Sequence, residues 1–402
     1  MSETVDNTSE RELDFPLGRT GCPFDPPPEY RELRTSEPVA SAKSGTGENI
    51  RLIARHADVR AALADPRISA DFRTPGYPGR AALLNTDAPV FARTDPPEHT
   101  VHRRLLISDF TVRKVREMRP EIQRIVDAQL DVMAELAPRA DLVDVFALPV
   151  PSLIICRMLG VPYAEHDFFQ SRARIVVDRR SSITDLRIAI GELREYLVEL
   201  LAIKRDQPGD DILTRLIREQ QANGLSDMEL AANAVTLLNA GHETTANMIA
   251  LGVLVLLSHP QALAELKADA DLWPNAVDEL LRYLSIADTI LSRVPKEDIE
   301  IGDTVVKSGE GLFALIGSAN RDETVFPDPD RFDIHRSTRH HLAFGYGVHA
   351  CLGHHLARAE LEIALETLFR RFPDLRLDAE FDELPFKHDA AVFGVHSLPI
   401  SW

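Results

Sequence analysis

Phe344-Gly345-Tyr346-Gly347-Val348-His349-Ala350-Cys351-Leu352-Gly353 is the stretch on which the reading of this chain turns. Glycines at 345, 347 and 353 let the backbone turn tightly and let a flat ligand approach it closely. The residues that follow, His354 to Arg371, carry an amphipathic helical pattern. Cys351 therefore stands just ahead of a helix, where free backbone N–H groups and the positive dipole end favour a thiolate.

A thiolate in that setting is a strong axial ligand for haem iron. It pushes electron density toward the metal and favours O–O cleavage. Two other readings compete. Buried cysteines are usually inert small hydrophobes, which is how Cys22 and Cys156 read. Zinc is the other, since His340, His341, His349, Cys351, His354 and His355 crowd together. A closed zinc site would want a second cysteine pair or a C-x₂₋₄-C joined to an H-x₃₋₅-H, and neither is present.

Working outward, Ser226-Asp227-Met228-Glu229 is a capping box, and His259-Pro260 ends what it begins. The interval predicts a helix roughly 50 Å long at 1.5 Å per residue, enough to cross a domain. Its ends are apolar, but Asn239-Ala240-Gly241-His242-Glu243-Thr244-Thr245-Ala246-Asn247 in its middle is polar. Polar groups in a buried helix need partners, which points to a cavity, ligand or ordered water there.

Further helices are expected at 56–64, 98–107, 112–136, 151–159, 187–206, 211–222, 260–268 and 273–284. Strand-like pieces fall at 49–54, 290–294, 298–306, 311–316 and 391–398. Residues 1–28 read as a loose arm, and 29–402 as one unit without a linker. Of the 402 residues 44% are hydrophobic, enough for a sizeable core, and the formal charge of −18 argues against nucleic acid or an anionic membrane as partner. Three widely spaced cysteines give no disulfide framework and fit a reducing, cytoplasmic setting. No secretory leader is apparent, and the longest apolar run, Met248 to Leu257, is too short to span a bilayer.

Phe344-x-x-Gly347-x-x-x-Cys351-x-Gly353 resembles the haem-binding signature of the cytochrome P-450 family, the haem-thiolate monooxygenases. Other landmarks fall in that family's order. Ala240-Gly241-His242-Glu243-Thr244-Thr245 is similar to its oxygen-activation stretch, Glu279-Leu280-Leu281-Arg282 to its Glu-x-x-Arg helix, and Asp328-Pro329-Asp330-Arg331-Phe332 to the segment giving a further arginine. The likeness runs from about residue 22 to Trp402. Phe146-Ala147-Leu148-Pro149-Val150-Pro151 and His340-His341-Leu342-Ala343-Phe344-Gly345 point to the soluble actinobacterial branch.

The resemblance implies a mainly α, single-domain triangular prism with a small β-rich subdomain, holding haem b and using O2. It implies Cys351 as the iron's axial ligand, with Phe344 and Gly345 in the loop against the haem. It places Glu243 and Thr244 in a proton relay beside a helix irregularity at Gly241; the plain alternative is that Thr244 back-bonds to a helix carbonyl. It implies a buried Glu279–Arg282–Arg331 cluster, and His99, Arg103, Arg293 and His349 at the haem propionates. Leu84, Ile175, Val176, Leu237, Ala240, Ile290, Leu291, Val392 and Phe393 would line the pocket of a largely apolar polyketide, macrolide or terpenoid. The arginines at 172, 174, 179 and 180, over the substrate channel, are read as a solvated face with paired charges in preference to a carboxylate anchor. No G-x-G-x-x-G fingerprint follows a strand, so electrons originating from NAD(P)H would arrive through a separate ferredoxin and its reductase. Arg103, Arg104, Arg113, Lys114, Arg116, His354, His355 and Arg358 would offer that ferredoxin a basic face on a monomeric enzyme. A haem-binding sensor or carrier would need the Cys351 loop but not Glu243 and Thr244; oxidative coupling is the further alternative.

Overall fold

The computed structural model describes residues 13–80, 90–388 and 390–402. Its central element is the helix Asp227–Ser258. The capping box starts it: the Ser226 hydroxyl accepts from the Glu229 N–H (3.2 Å) while the Glu229 carboxylate accepts from the Ser226 N–H (2.8 Å). His259 ends it, and Pro260 opens the next helix, Pro260–Ala268. Helices Pro149–Leu159, Ile183–Asp206, Trp273–Leu284 and His354–Arg371 pack around it. This helix is long and apolar enough to cross a membrane, but 78% of its most apolar stretch is buried inside the protein. It also runs unbroken through Gly241, where an irregularity was expected. The missing side chain there serves packing instead, since a Cβ would lie 3.4 Å from Ile155.

A six-stranded sheet forms the β-rich corner, in the order Leu13–Phe15, Val39–Ser44, Asn49–Ile53, Gly311–Ala314, Ser292–Pro295 and Ile68–Ser69. Asn49–Ile53 pairs antiparallel with Val39–Ser44 and parallel with Gly311–Ala314. A hairpin, Ile299–Ile301 with Thr304–Val306, lies apart from it. One large apolar cluster fills the helical body, and two smaller ones lie against the sheet.

Three expectations need correction. Residues 391–398 form no strand; the strand is Pro399–Ser401, and the turn before it closes on the core through Phe393 N–H to Ile286 O (2.9 Å). The described part of the arm is built into the fold rather than loose. Leu13–Phe15 extends the sheet, Phe24 is buried, and the Arg19 guanidinium donates to the Leu284 carbonyl (3.2 Å) at a helix end whose carbonyls lack intrahelical donors. The third correction concerns the buried arginine cluster. Glu279 and Arg282 form a doubly bonded pair, both side chains 0% exposed. Arg331, however, is 69% exposed and pairs with Asp333, giving Arg282 only its carbonyl. The third member is Arg336, 8% exposed, whose Nε reaches the Glu279 carboxylate at 3.2 Å. Its remaining donors satisfy the carbonyls of Asp328 and Arg331 in the turn that Arg331 was expected to anchor from.

The two arginines should therefore differ on mutation. Arg336→Gln leaves a buried carboxylate short of a partner and should cost about 1–3 kcal/mol, whereas Arg331→Gln should change stability by less than about 0.5 kcal/mol. Denaturant midpoints of the two variants, measured side by side, check this; equal midpoints would return Arg331 to the cluster.

Candidate active site

A cavity of about 300 Å³ lies between the middle of the central helix and the Cys351 loop. Leu237, Ala240, Gly241, Thr244 and Met248 line it from the helix, and Phe344, Gly345, His349 and Cys351 from the loop. The loop is folded by a hydrogen bond from the Cys351 N–H to the Phe344 carbonyl (2.8 Å). Gly347 has φ +75°, and a Cβ on it would stand 2.5 Å from the Leu63 carbonyl oxygen, so only glycine fits. Gly345, at φ +69°, faces open space.

Cys351 opens onto this cavity. Burial pushes its thiol above the ordinary value, and the Gly353 N–H and the charges of Arg103 and Arg358 oppose that only in part. A bound cationic metal is what would deprotonate this sulfur outright.

One edge of the cavity is cationic. Arg93, Arg103, Arg293 and His349 all border it. Arg103 donates to Ala350 O (2.7 Å) and Arg293 to Ser292 O (2.8 Å). The His99 and His349 rings lie 4.3 Å apart, and Nδ1 of His349 is buried with no hydrogen-bond partner among the described residues. Burial, with Arg293 and His99 nearby, drives the His349 imidazole down to about 3, so it is neutral. Burial and Arg103 lower His99 as well. Unpartnered polar atoms and arginines at the rim of an apolar slot suit two carboxylates entering with a flat macrocycle. The residues present therefore fit haem. Arg93, which sequence reading missed, donates to Tyr77 Oη (2.5 Å) and Ile290 O (3.3 Å). It lies in a short turn, Phe91–Arg93, without the four-residue helical spacing that joined His99 to Arg103.

On the helix side, Thr244 borders the cavity and its hydroxyl donates to Ala240 O at 2.5 Å, the plain back-bond, leaving its lone pairs to accept from a guest. Glu243 points elsewhere. Its carboxylate pairs with Lys387 at 2.6 Å, and Asn247 joins both groups. Burial would raise the Glu243 carboxyl, yet the Lys387 ammonium, with His242 and Asn247, holds it below its ordinary value.

The expected pocket residues divide. Leu237, Ala240, Ile290 and Leu291 line the cavity. Ile175 and Val176 are half-buried on the helix His166–Val177, off the cavity. Val392 is buried in the core, and Phe393 lies under the Arg19 guanidinium (4.2 Å), stacked on Phe386. Leu84 falls outside the described residues. Of the four arginines expected over the substrate channel, Arg172 pairs with Glu192 (2.8 Å), Arg180 with Asp178 (3.1 Å) and Arg179 with Thr289 (2.6 Å), while Arg174 is exposed.

Such a thiol, facing a hydroxyl across an apolar slot with a cationic rim, defines a haem-thiolate oxygenase site. Comparison with known proteins agrees. Residues 164–402 match the family model described as Cytochrome P450. The chain is 49% identical over 395 residues to cytochrome P450-SU2 of Streptomyces griseolus, covering 97% of each. It is 47% identical to pentalenic acid synthase of Streptomyces avermitilis, covering 96% of this chain and 97% of that one. The solved structure of mycinamicin VIII C21 methyl hydroxylase from Micromonospora griseorubida, bound to mycinamicin VIII, superposes with TM-score 0.90 at 43% identity, covering 97% of this chain and 100% of that one. The chain belongs to the cytochrome P450 family, in its actinobacterial branch. It is an oxidoreductase that incorporates molecular oxygen at a haem iron.

The Lys387–Glu243 pair gives a pH test. Glu243 is depressed, so it contributes stability above its unfolded value that is lost as pH falls through the lower folded one. Lys387→Met leaves the carboxyl buried without its cation, which raises it. Thermal midpoints should fall most at neutral pH, and the gap to the parent should close on acidification. A gap that widens in acid would show that Lys387 does not hold Glu243 ionised.

Proposed function

We propose that this enzyme inserts one oxygen atom from O2, by hydroxylation or epoxidation, into a largely apolar polyketide, macrolide or terpenoid of secondary metabolism. The observation that carries this is the slot between Cys351 and Thr244, apolar on its walls and cationic at one rim. Relatives named for mycinamicin VIII and pentalenic acid support the substrate class. Haem b, held through Cys351, supplies oxygen activation when bound. Arg103, Arg293, His99 and His349 would receive its propionates, with Arg93 as a further donor. Phe344 and Gly345 would lie against its face.

Leu237, Ala240, Ile290 and Leu291 would hold the apolar substrate and exclude water. The Thr244 hydroxyl, already oriented by Ala240 O, would accept a hydrogen bond at the oxygen site and keep a proton path in register. Glu243 would serve as the proton reservoir behind it once its carboxylate leaves Lys387. With no nucleotide-binding fingerprint in this chain, electrons from NAD(P)H would come through a reductase and a ferredoxin. Arg104, Arg113 and Arg116 are exposed, and Arg113 has only the i,i+4 partner Glu117, so this face would steer an acidic ferredoxin. The acidic composition and cysteine usage support a cytoplasmic setting.

Two outcomes test the reading. Cys351→Ser should fold, and its reduced carbon monoxide complex should lack the thiolate-type absorption that the parent shows. Thr244→Ala should bind substrate as the parent does while releasing more peroxide per NAD(P)H consumed. Product yield per NAD(P)H that stays at the parental value would remove Thr244 from the relay.

A further inference from the structure

Behind the Cys351 loop, off the cavity, polar side chains from three elements converge on Phe344. Arg358 and His354 come from the helix His354–Arg371, Asp278 from the helix Trp273–Leu284, and His341 from the segment leading into the loop. The Arg358 guanidinium carbon lies 4.6 Å from the centre of the Phe344 ring. Its Nε donates to Asp278 at 2.6 Å, and one terminal nitrogen donates to His354 Nδ1 (3.0 Å) and His354 O (3.2 Å). Burial drives His354 down to about 4, so the ring is neutral and its Nδ1 accepts. The Ala343 N–H donates to His341 Nδ1 (3.2 Å), and His341 Nε2 lies 3.4 Å from the Asp278 carboxylate and 3.2 Å from the other terminal nitrogen of Arg358. Both imidazole rings flank Phe344 with centroids 5.9 Å away.

This is more than a surface ion pair. Arg358 and Asp278 are each about a quarter exposed, and the guanidinium is fixed in its plane by three acceptors. A planar cation stacked on an aromatic face holds that ring as lysine would not. The ring belongs to the residue whose carbonyl accepts from the Cys351 N–H, so holding Phe344 fixes the loop that presents the sulfur.

We infer that Arg358, aligned by Asp278, is a positioning residue for the axial thiolate: it clamps Phe344 and keeps a positive charge behind the sulfur. The inference rests on the reading that Cys351 ligates haem iron. Reduction of a thiolate-ligated iron adds one negative charge to the centre, so a nearby cation favours the reduced form and a nearby anion opposes it. Arg358 and Asp278 therefore act on the reduction potential with opposite signs, while both support the geometry of the clamp.

The test uses the purified, haem-loaded full chain without any redox partner, in two measurements. The first is a spectroelectrochemical titration of the haem. The second is the fraction of the reduced carbon monoxide complex that retains thiolate-type absorption over hours. Arg358→Met should move the potential negative and shorten the life of the thiolate-type species. Arg358→Lys should restore the potential, since the charge returns, but not the lifetime, since the stacking plane does not. Asp278→Asn should move the potential positive. An Arg358→Met variant with parental potential and lifetime would overturn the inference. So would Arg358→Met and Asp278→Asn shifting the potential in the same direction, the result of general loosening. If Arg358→Met fails to hold haem, the Lys and Asn variants still decide through their predicted signs. A parent that lacks thiolate-type absorption would instead overturn the haem reading on which the inference stands.

Discussion

Burial disfavours the charged form of a thiol, and Cys351 lies where burial wins. The rest of the site follows from that constraint. A sulfur whose thiol burial raises is ionised more readily with a cationic metal on one side and fixed dipoles and charges on the other. The Gly353 N–H, Arg103 and Arg358 supply the second set. The loop that carries the sulfur must also turn within van der Waals reach of Leu63, which only glycine at 347 allows. Those glycines and that cysteine are close together in sequence because one short loop must meet both demands.

The opposite wall answers a different demand. Oxygen chemistry needs protons without bulk water, and on the central helix Thr244 and Glu243 are each held by a partner within the chain. Thr244 is tied to Ala240 O, and Glu243 to Lys387 and Asn247. Burial alone would raise this carboxyl; the lysine ammonium, with His242 and Asn247, holds it below its ordinary value. The Gly394 position shows how close that packing is, since a Cβ there would stand 2.0 Å from the Asn247 amide oxygen.

Much of this was legible in the sequence where the signal is local. The capping box at Ser226 and the proline at 260 fixed both ends of the central helix, and the glycine pattern marked the cysteine loop. What escaped was set by contacts distant in sequence. Arg336 rather than Arg331 meets Glu279 because the intervening turn points Arg331 to solvent, and spacing carries no trace of that. Phe393 reads as a pocket residue until Arg19, from the supposed arm, is seen to cover it. Arg93 has no periodic partner to give it away, and the helix Glu29–Ser36 is only eight residues long. The strand expected at 391–398 fails because its backbone donors are taken one at a time by Ile286, Pro385 and Val177 rather than by a neighbouring strand.

Those same irregular bonds extend to the segment that follows the helix His166–Val177. Val177, at the end of the helix His166–Val177, accepts from the Ala391 N–H at 2.9 Å, and Asp178 bridges to Ala390. Arg80 donates to the carbonyls of Asp178 (3.1 Å), Arg179 (2.7 Å) and Ser181. Arg179 in turn reaches Thr289, whose hydroxyl donates to Ala391 O at 3.0 Å. A guanidinium engaged with backbone carbonyls or a threonine has fewer donors for a substrate carboxylate, so these cations read as staples between segments with no regular pairing of their own. The segment they staple to is the turn that also carries Lys387, through the Lys387 N–H to Gly394 O bond at 2.8 Å. The segment around Asp178 and the cation that restrains Glu243 are thus both tied to residues 390–395, through Ala390, Ala391 and Gly394.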